Sequence, residues 1–120
     1  MDSICLRQDG SLLCASLSGR LSELEGAQLV SQAGQRLAAG GGSQDLLLDL
    51  SEVEYMTSSA VGAVVSLYQQ VRLGGGRMAV AAANERVHLL LEIAGLNQLL
   101  ALCNTAEEAR AALHREEPAK

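Results

Sequence analysis

Between Gln44 and Ser51 the chain reads Asp45-Leu46-Leu47-Leu48-Asp49-Leu50, a compact apolar run beside turn-forming residues. A short run without polar alternation is the pattern of a strand buried inside a sheet rather than one with a wet face. Such a strand obliges the rest of the chain to supply strands beside it and helices over it. The neighbouring segments carry the signals for both.

Ile4 to Arg7 and Leu12 to Leu17 flank Asp9-Gly10, a pair favoured in tight turns, and predict a β-hairpin. Gly19 interrupts that pattern. Leu21, Leu24, Ala27, Val30, Ala33 and Leu37 then recur at the three- and four-residue steps of one helical face, with Ser22 and Glu25 spaced as a capping box. Gly40-Gly41-Gly42 ends this helix, and Gly74-Gly75-Gly76 ends a second one that opens at Ser58 and carries Val61, Val64, Val65, Tyr68 and Val71. Met78 to Ala82 reads as a strand, Asn84 as the N-cap of a third helix with Gly95 at its end, and Leu99 to Leu102 as a short last strand. Thr105 and Glu108 are spaced as a second capping box ahead of a terminal helix. Strands alternating with helices after an opening hairpin give an α/β domain: a mixed sheet of four or five strands with about four helices packed against it. The expected core includes Leu47, Leu48, Leu50, Val61, Val64, Val65, Val80, Leu90 and Leu91. One domain spans residues 1–115, and 116–120 form a frayed polar tail.

Composition removes several functions. With no Trp or Phe, two Tyr and a net charge of −5, the chain has neither the aromatic platforms nor the basic groove of a nucleic-acid binder. No apolar run approaches the roughly 20 residues of a membrane helix, and no polybasic patch suits a lipid surface. Met1-Asp2-Ser3-Ile4-Cys5 lacks the basic-then-apolar pattern of a signal peptide, so a cytoplasmic address is expected. Cys5, Cys14 and Cys103 are odd in number and far apart, which suits free thiols better than disulfides or a metal site.

Catalytic motifs fail on spacing. Neither glycine triplet is followed by the Lys and Ser or Thr of a phosphate loop, and Gly74-Gly75-Gly76 precedes a strand where phosphate binding needs a helix. Ser58 or Ser59 at a strand-to-helix junction invites a small-hydrolase reading, but the Gly-x-Ser-x-Gly frame is absent. His88 and His114 lie on helices away from that junction, and His88 stands one turn before Glu92 as a surface pair. No cofactor, metal ligand set or catalytic residue is therefore expected. What remains is Tyr55 to Gly62, where hydroxyls meet unpartnered backbone N–H groups at a helix start. Thr57 or Ser58 can cap that helix; a phosphate there would add about −1.5 to −2 charges to the surface.

The segment Leu46 to Gly62 resembles the central signature of STAS domains, a buried strand passing through an Asp-Leu-Ser-type turn into an Asp-Ser-Ser-Gly-Leu-Gly-like helix start. The likeness continues through Gly19-Arg20-Leu21, through Gly75 to Val80 and through Val87-His88-Leu89-Leu90-Leu91-Glu92-Ile93-Ala94-Gly95-Leu96, the last being characteristic of the anti-sigma factor antagonist branch. The resemblance implies a STAS-like domain and a non-enzymatic transcription regulator. In that branch the antagonist binds an anti-sigma factor that is also a serine kinase and so frees a sigma factor. Phosphorylation of the first serine of the motif, at the position of Ser58, breaks the complex, and a PP2C-type phosphatase restores it. Thr57, Ser58, Ser59, Val61 and Gly62 are the implied partner contacts. Two positions depart from the pattern: the usual acid before the target serine is Thr57, and a usual glycine is Ala60. Thr57 thereby becomes an alternative phosphoacceptor. A constitutive STAS scaffold or a transporter-associated subunit without the switch is the alternative within the fold.

Overall fold

The structure is a computed structural model and describes residues 4–40 and 43–114, with the side chain of His114 left aside. The proposed tail, 116–120, lies outside these residues. Five strands and four helices follow one another as β1 (Ile4–Asp9), β2 (Leu12–Leu21), α1 (Glu23–Ala39), β3 (Asp45–Met56), α2 (Ser58–Leu73), β4 (Met78–Ala81), α3 (Glu85–Ile93), β5 (Ala101–Cys103) and α4 (Ala106–His114), with a 3-10 turn at Leu96–Gln98. The sheet order is β1-β2-β3-β4-β5. β1 is antiparallel to β2, and the other neighbours are parallel. The expected mixed α/β sheet is thus realised with five strands, and the hairpin turns at Gly10-Ser11, one residue later than expected.

Side-chain alternation sorts the core onto two faces. Leu46, Leu48 and Leu50 of β3 join Leu13, Ala15 and Leu17 of β2 and Val80 of β4 under α1, α2 and α3. Leu47 points the other way and packs with Leu12, Cys14, Ala79 and Ala81 against Ala109 and Leu113 of α4. The triple leucine is therefore covered on both sides, each buried leucine contributing about 1.5–3 kcal/mol. Of the nine expected core residues, Val65 and Leu90 are only half-buried, and the rest are buried. Arg110 of α4 reaches across to Asp9 at 3.3 Å, fastening this helix to the edge hairpin.

The last strand occupies Ala101–Cys103 rather than Leu99–Leu102, and three further elements differ more widely from the sequence reading. β2 does not stop at Gly19 but runs to Leu21, and β3 continues past Leu50 to Met56 where a turn was expected. The β2–β3 register shifts between Ser16 and Ser18 and again between Gly19 and Arg20, each time with an extra residue on β3. Each bulge flips the strand's facing, so Leu50, Val53 and Met56 are all buried although they are spaced by three. Helix α1 is also rotated from its expected face: Gly26, Leu29, Ala33 and Gly34 are buried, and Leu24 is 62% exposed. A Cβ on Gly26 would stand 3.2 Å from both the Ala60 Cα and the Ala63 Cβ, so close approach of α2 selects the glycine face.

Gln44 is buried and fully employed. Its amide donates to the carbonyls of Arg36 at 3.3 Å and Leu37 at 3.4 Å, and its oxygen accepts from Gln8 at 2.8 Å. One side chain thus serves two of the terminal carbonyls of α1 and ties them to β1.

Candidate functional site

In a parallel sheet each helix that follows a strand begins at the strand's carboxyl end, which gathers helix N-termini along one edge. Here α1, α2 and α3 start there, at Ser22, Thr57 and Asn84 respectively. Each start is capped by a residue its sequence supplies. The Glu25 carboxylate accepts from the Ser22 backbone N–H at 3.0 Å and from the Ser22 hydroxyl. These bonds, the hydroxyl's first, hold the Glu25 carboxyl below the usual carboxylate range. At the far end of the chain Thr105 caps α4 through Glu108 N–H at 3.1 Å, and Glu108 returns a bond to Asn104 rather than to Thr105 itself.

At the start of α2 the hydroxyls divide their tasks. Thr57 Oγ1 accepts from the Ala60 N–H at 3.2 Å, while the Thr57 N–H donates to the Leu21 carbonyl at 2.9 Å. Thr57 is half-buried and fixed from both sides. Ser58 and Ser59, the first two residues of the helix, are exposed. Gly62 is exposed one turn further on, with open space where a Cβ would stand. Val61, by contrast, is 7% exposed and belongs to the core. Of the five implied contact residues it is the one whose side chain offers a partner no surface; Ser58, Ser59 and Gly62 form the accessible set, with Thr57 as their support.

Asn84 joins this edge together. Its Oδ1 caps α3 by accepting from Val87 N–H at 2.9 Å, and its Nδ2 donates to the carbonyls of Val53 at 3.2 Å and Glu54 at 3.3 Å. The cap was legible in the sequence, but the link to β3 was not. Nor was the stacking of Arg20 over Tyr55, 5.9 Å from the ring centroid, which links the ends of β2 and β3 and is worth about 0.5–1 kcal/mol at an exposed site.

The remaining reactive groups lie apart. His88 stands 4.0 Å from Glu92 on the surface of α3, the pair its spacing suggested. Among the described residues no three His, Cys, Asp or Glu side chains gather to hold a metal ion, and no helix is long and apolar enough to cross a membrane. Cys5 is exposed, Cys14 buried and Cys103 half-buried, all as free thiols. Burial, assisted by the Glu108 charge, pushes the Cys103 thiol up from its usual value. Because the thiolate is the reactive form, a thiol reagent at neutral pH is expected to label Cys5 first, Cys103 slowly and Cys14 only on unfolding. Mass-resolved alkylation checks this; faster labelling of Cys103 than of Cys5 would contradict the assigned environments.

Comparison with known proteins agrees with this architecture. The structure of TM1081 from Thermotoga maritima superposes with a TM-score of 0.83 at 20% identity, covering 93% of this chain and 95% of that one. The Bacillus cell fate determinant SpoIIAA in its phosphorylated form superposes at 0.73 with 18% identity, covering 91% and 97%. In sequence, the TM1081 homologue of Thermotoga neapolitana is 35% identical over 68 residues, 57% of this chain and 60% of that protein. The anti-sigma F factor antagonist of Paenibacillus polymyxa is 33% identical over 57 residues, 48% of this chain and 49% of that one. The chain thus spans less than two thirds of each of these curated relatives. The STAS domain family matches residues 3–109, nearly all of the sheet and helices described above, and the chain belongs to that family.

Proposed function

We propose that this protein is an anti-sigma factor antagonist, a cytoplasmic, non-catalytic regulator that binds an anti-sigma factor with serine-kinase activity through the edge carrying Ser58. The observation that carries the reading is the division of labour at the start of α2. Thr57 is occupied as the cap, and Ser58 is presented to solvent as the first helical residue. A phosphate on Ser58 suits the fold, because a helix N-terminus favours negative charge. It does not suit a docked partner, which would have to desolvate a new dianion. Glu23, Glu54 and Glu85 lie at this edge together with Arg20 and Arg86, so the block comes from desolvating the dianion rather than from a uniformly acidic surface. A PP2C-type phosphatase completes the cycle by removing the phosphate.

Phosphopeptide mapping tests the reading on protein incubated with ATP and its anti-sigma kinase. The phosphate is expected on Ser58, and Ser58→Ala should remove it. Thr57→Ala should leave the phosphosite in place while lowering stability by about 0.5–2 kcal/mol through loss of the cap. A phosphate on Thr57 would reverse the two roles. If neither residue is modified although the kinase binds, the protein is a constitutive STAS scaffold.

A further inference from the structure

We infer that Asn84 positions the Ser58 edge: its side-chain amide holds the free end of β3, and so sets where Ser58 meets a partner, a reading that rests on the docking role proposed above. β4 accompanies β3 only from Leu46 to Asp49. Beyond that point β3 runs on to Met56 with β2 on one side and, among the described residues, no strand on the other. Val53 is buried, and a strand carbonyl left without a partner there is costly; Glu54 is exposed, so a bond to its carbonyl serves to hold position. Ala82, at φ 64°, turns the chain out of β4, and Asn84 follows two residues later beside the open edge. There its Nδ2 bridges the Val53 and Glu54 carbonyls, standing in for the missing strand.

The chemistry required is specific. One short side chain must accept a bond from the α3 start and donate two to β3. Ser, Thr and Asp are equally common helix caps, but none brings an acceptor together with two donors. From Glu54 the chain passes through Tyr55 and Met56 to Thr57, whose N–H is held by Leu21. The loop that presents Ser58 is therefore pinned by β2 through Leu21 and by α3 through Asn84. α3 carries the half-exposed Leu89 on the groove it shares with Glu54, Asn84, Glu85 and Arg86, so the bond also fixes that groove relative to Ser58.

The test uses Asn84→Asp and Asn84→Ser, both of which retain an oxygen to cap Val87 and lose the paired donors. Each is studied as the full chain at a temperature where it is completely folded. Hydrogen exchange at residues 54–58 is expected to quicken about tenfold while residues 87–91 keep their protection, in line with loss of local rather than global order. The Kd for the anti-sigma kinase is expected to rise about tenfold, the effect of a loop that populates its docking geometry only fractionally. A residue that only stabilised α3 would loosen residues 87–91 and leave the Kd of folded protein unmoved. Unchanged exchange at 54–58 overturns the inference, as does faster exchange with an unaltered Kd. If the unmodified protein binds no anti-sigma kinase, the docking role itself is wrong, and the exchange pattern alone decides whether Asn84 holds the end of β3.

Discussion

Gly76→Ala is expected to destabilise this protein by about 3 kcal/mol, the upper end of the usual cost of forced overpacking. The added Cβ would overlap the backbone carbonyl oxygen of Gln44 and stand 2.7 Å from its carbonyl carbon. Neither side can yield easily. Gly76 N–H is bonded to the Val71 carbonyl at 2.9 Å, and the next residues are locked in register by Leu46 N–H to the Arg77 carbonyl at 2.9 Å. The Arg77 N–H adds a bond to Asp45 Oδ1 at 2.9 Å. Its two neighbours provide the internal scale. Gly75→Ala should cost about 1–2 kcal/mol, because Gly75 holds φ at 88°. Gly74→Ala should change stability by no more than about 0.5 kcal/mol, since its φ is −83° and its nearest neighbour would be 3.6 Å away. Urea unfolding of the three variants measures the series. A Gly76→Ala protein as stable as Gly74→Ala would show that β3 and β4 do not begin as closely as described.

Ser58→Asp is expected to weaken binding to the anti-sigma kinase about a hundredfold, equivalent to about 2.7 kcal/mol, because it places an unpaired carboxylate in a desolvated contact. The same change should leave folding stability unchanged or raise it by about 0.3–1 kcal/mol, since an acid in the first turn complements the helix dipole. Ser58 is exposed, and the side-chain cap of α2 is made by Thr57 rather than by the Ser58 hydroxyl. Opposite signs for binding and stability therefore distinguish an electrostatic block from a damaged fold. Ser58→Ala should bind within about threefold of the unmodified protein, the usual small effect of trimming a peripheral contact. Calorimetric titration against the kinase, paired with thermal unfolding, gives both quantities. Equal affinity for Ser58→Asp and Ser58→Ala would place the docking surface elsewhere on the domain.

The residues that were legible in the sequence are those whose role is set by their immediate neighbours. Thr57, Asn84 and Thr105 each sit at the start of a helix because a side-chain oxygen accepts from a backbone N–H three residues on, and at Ser22 the Glu25 carboxylate three residues on reaches back to the cap. The leucines of β3 announced a buried strand because successive residues on a strand face opposite ways, and all of them were apolar. The candidate site was legible to the same extent: hydroxyls at a helix start can be recognised from their order alone. Which of them was the cap and which was free was settled by the geometry at Ala60.

The rest depends on contacts between residues distant in the chain. Leu50, Val53 and Met56 are spaced by three, which along an isolated strand would scatter them over both faces. Only pairing with β2, with two extra residues on β3, turns all three inward. Gly26 and Gly34 contribute nothing to a hydrophobic pattern, yet α2 packs on them, and the larger Leu24 is left in solvent. Val61 reads equally well as surface or core until the sheet beneath it is in place. The amide of Asn84 finds its second pair of bonds on β3 only after β4 has ended and the chain has turned at Ala82. The sequence by itself determined where each helix begins and which strand is central, since those follow from hydrogen bonds and periodicity within a few residues. Which faces are buried, and how firmly Ser58 is held, was decided by the tertiary structure, because backbone close approach and strand register leave no local trace.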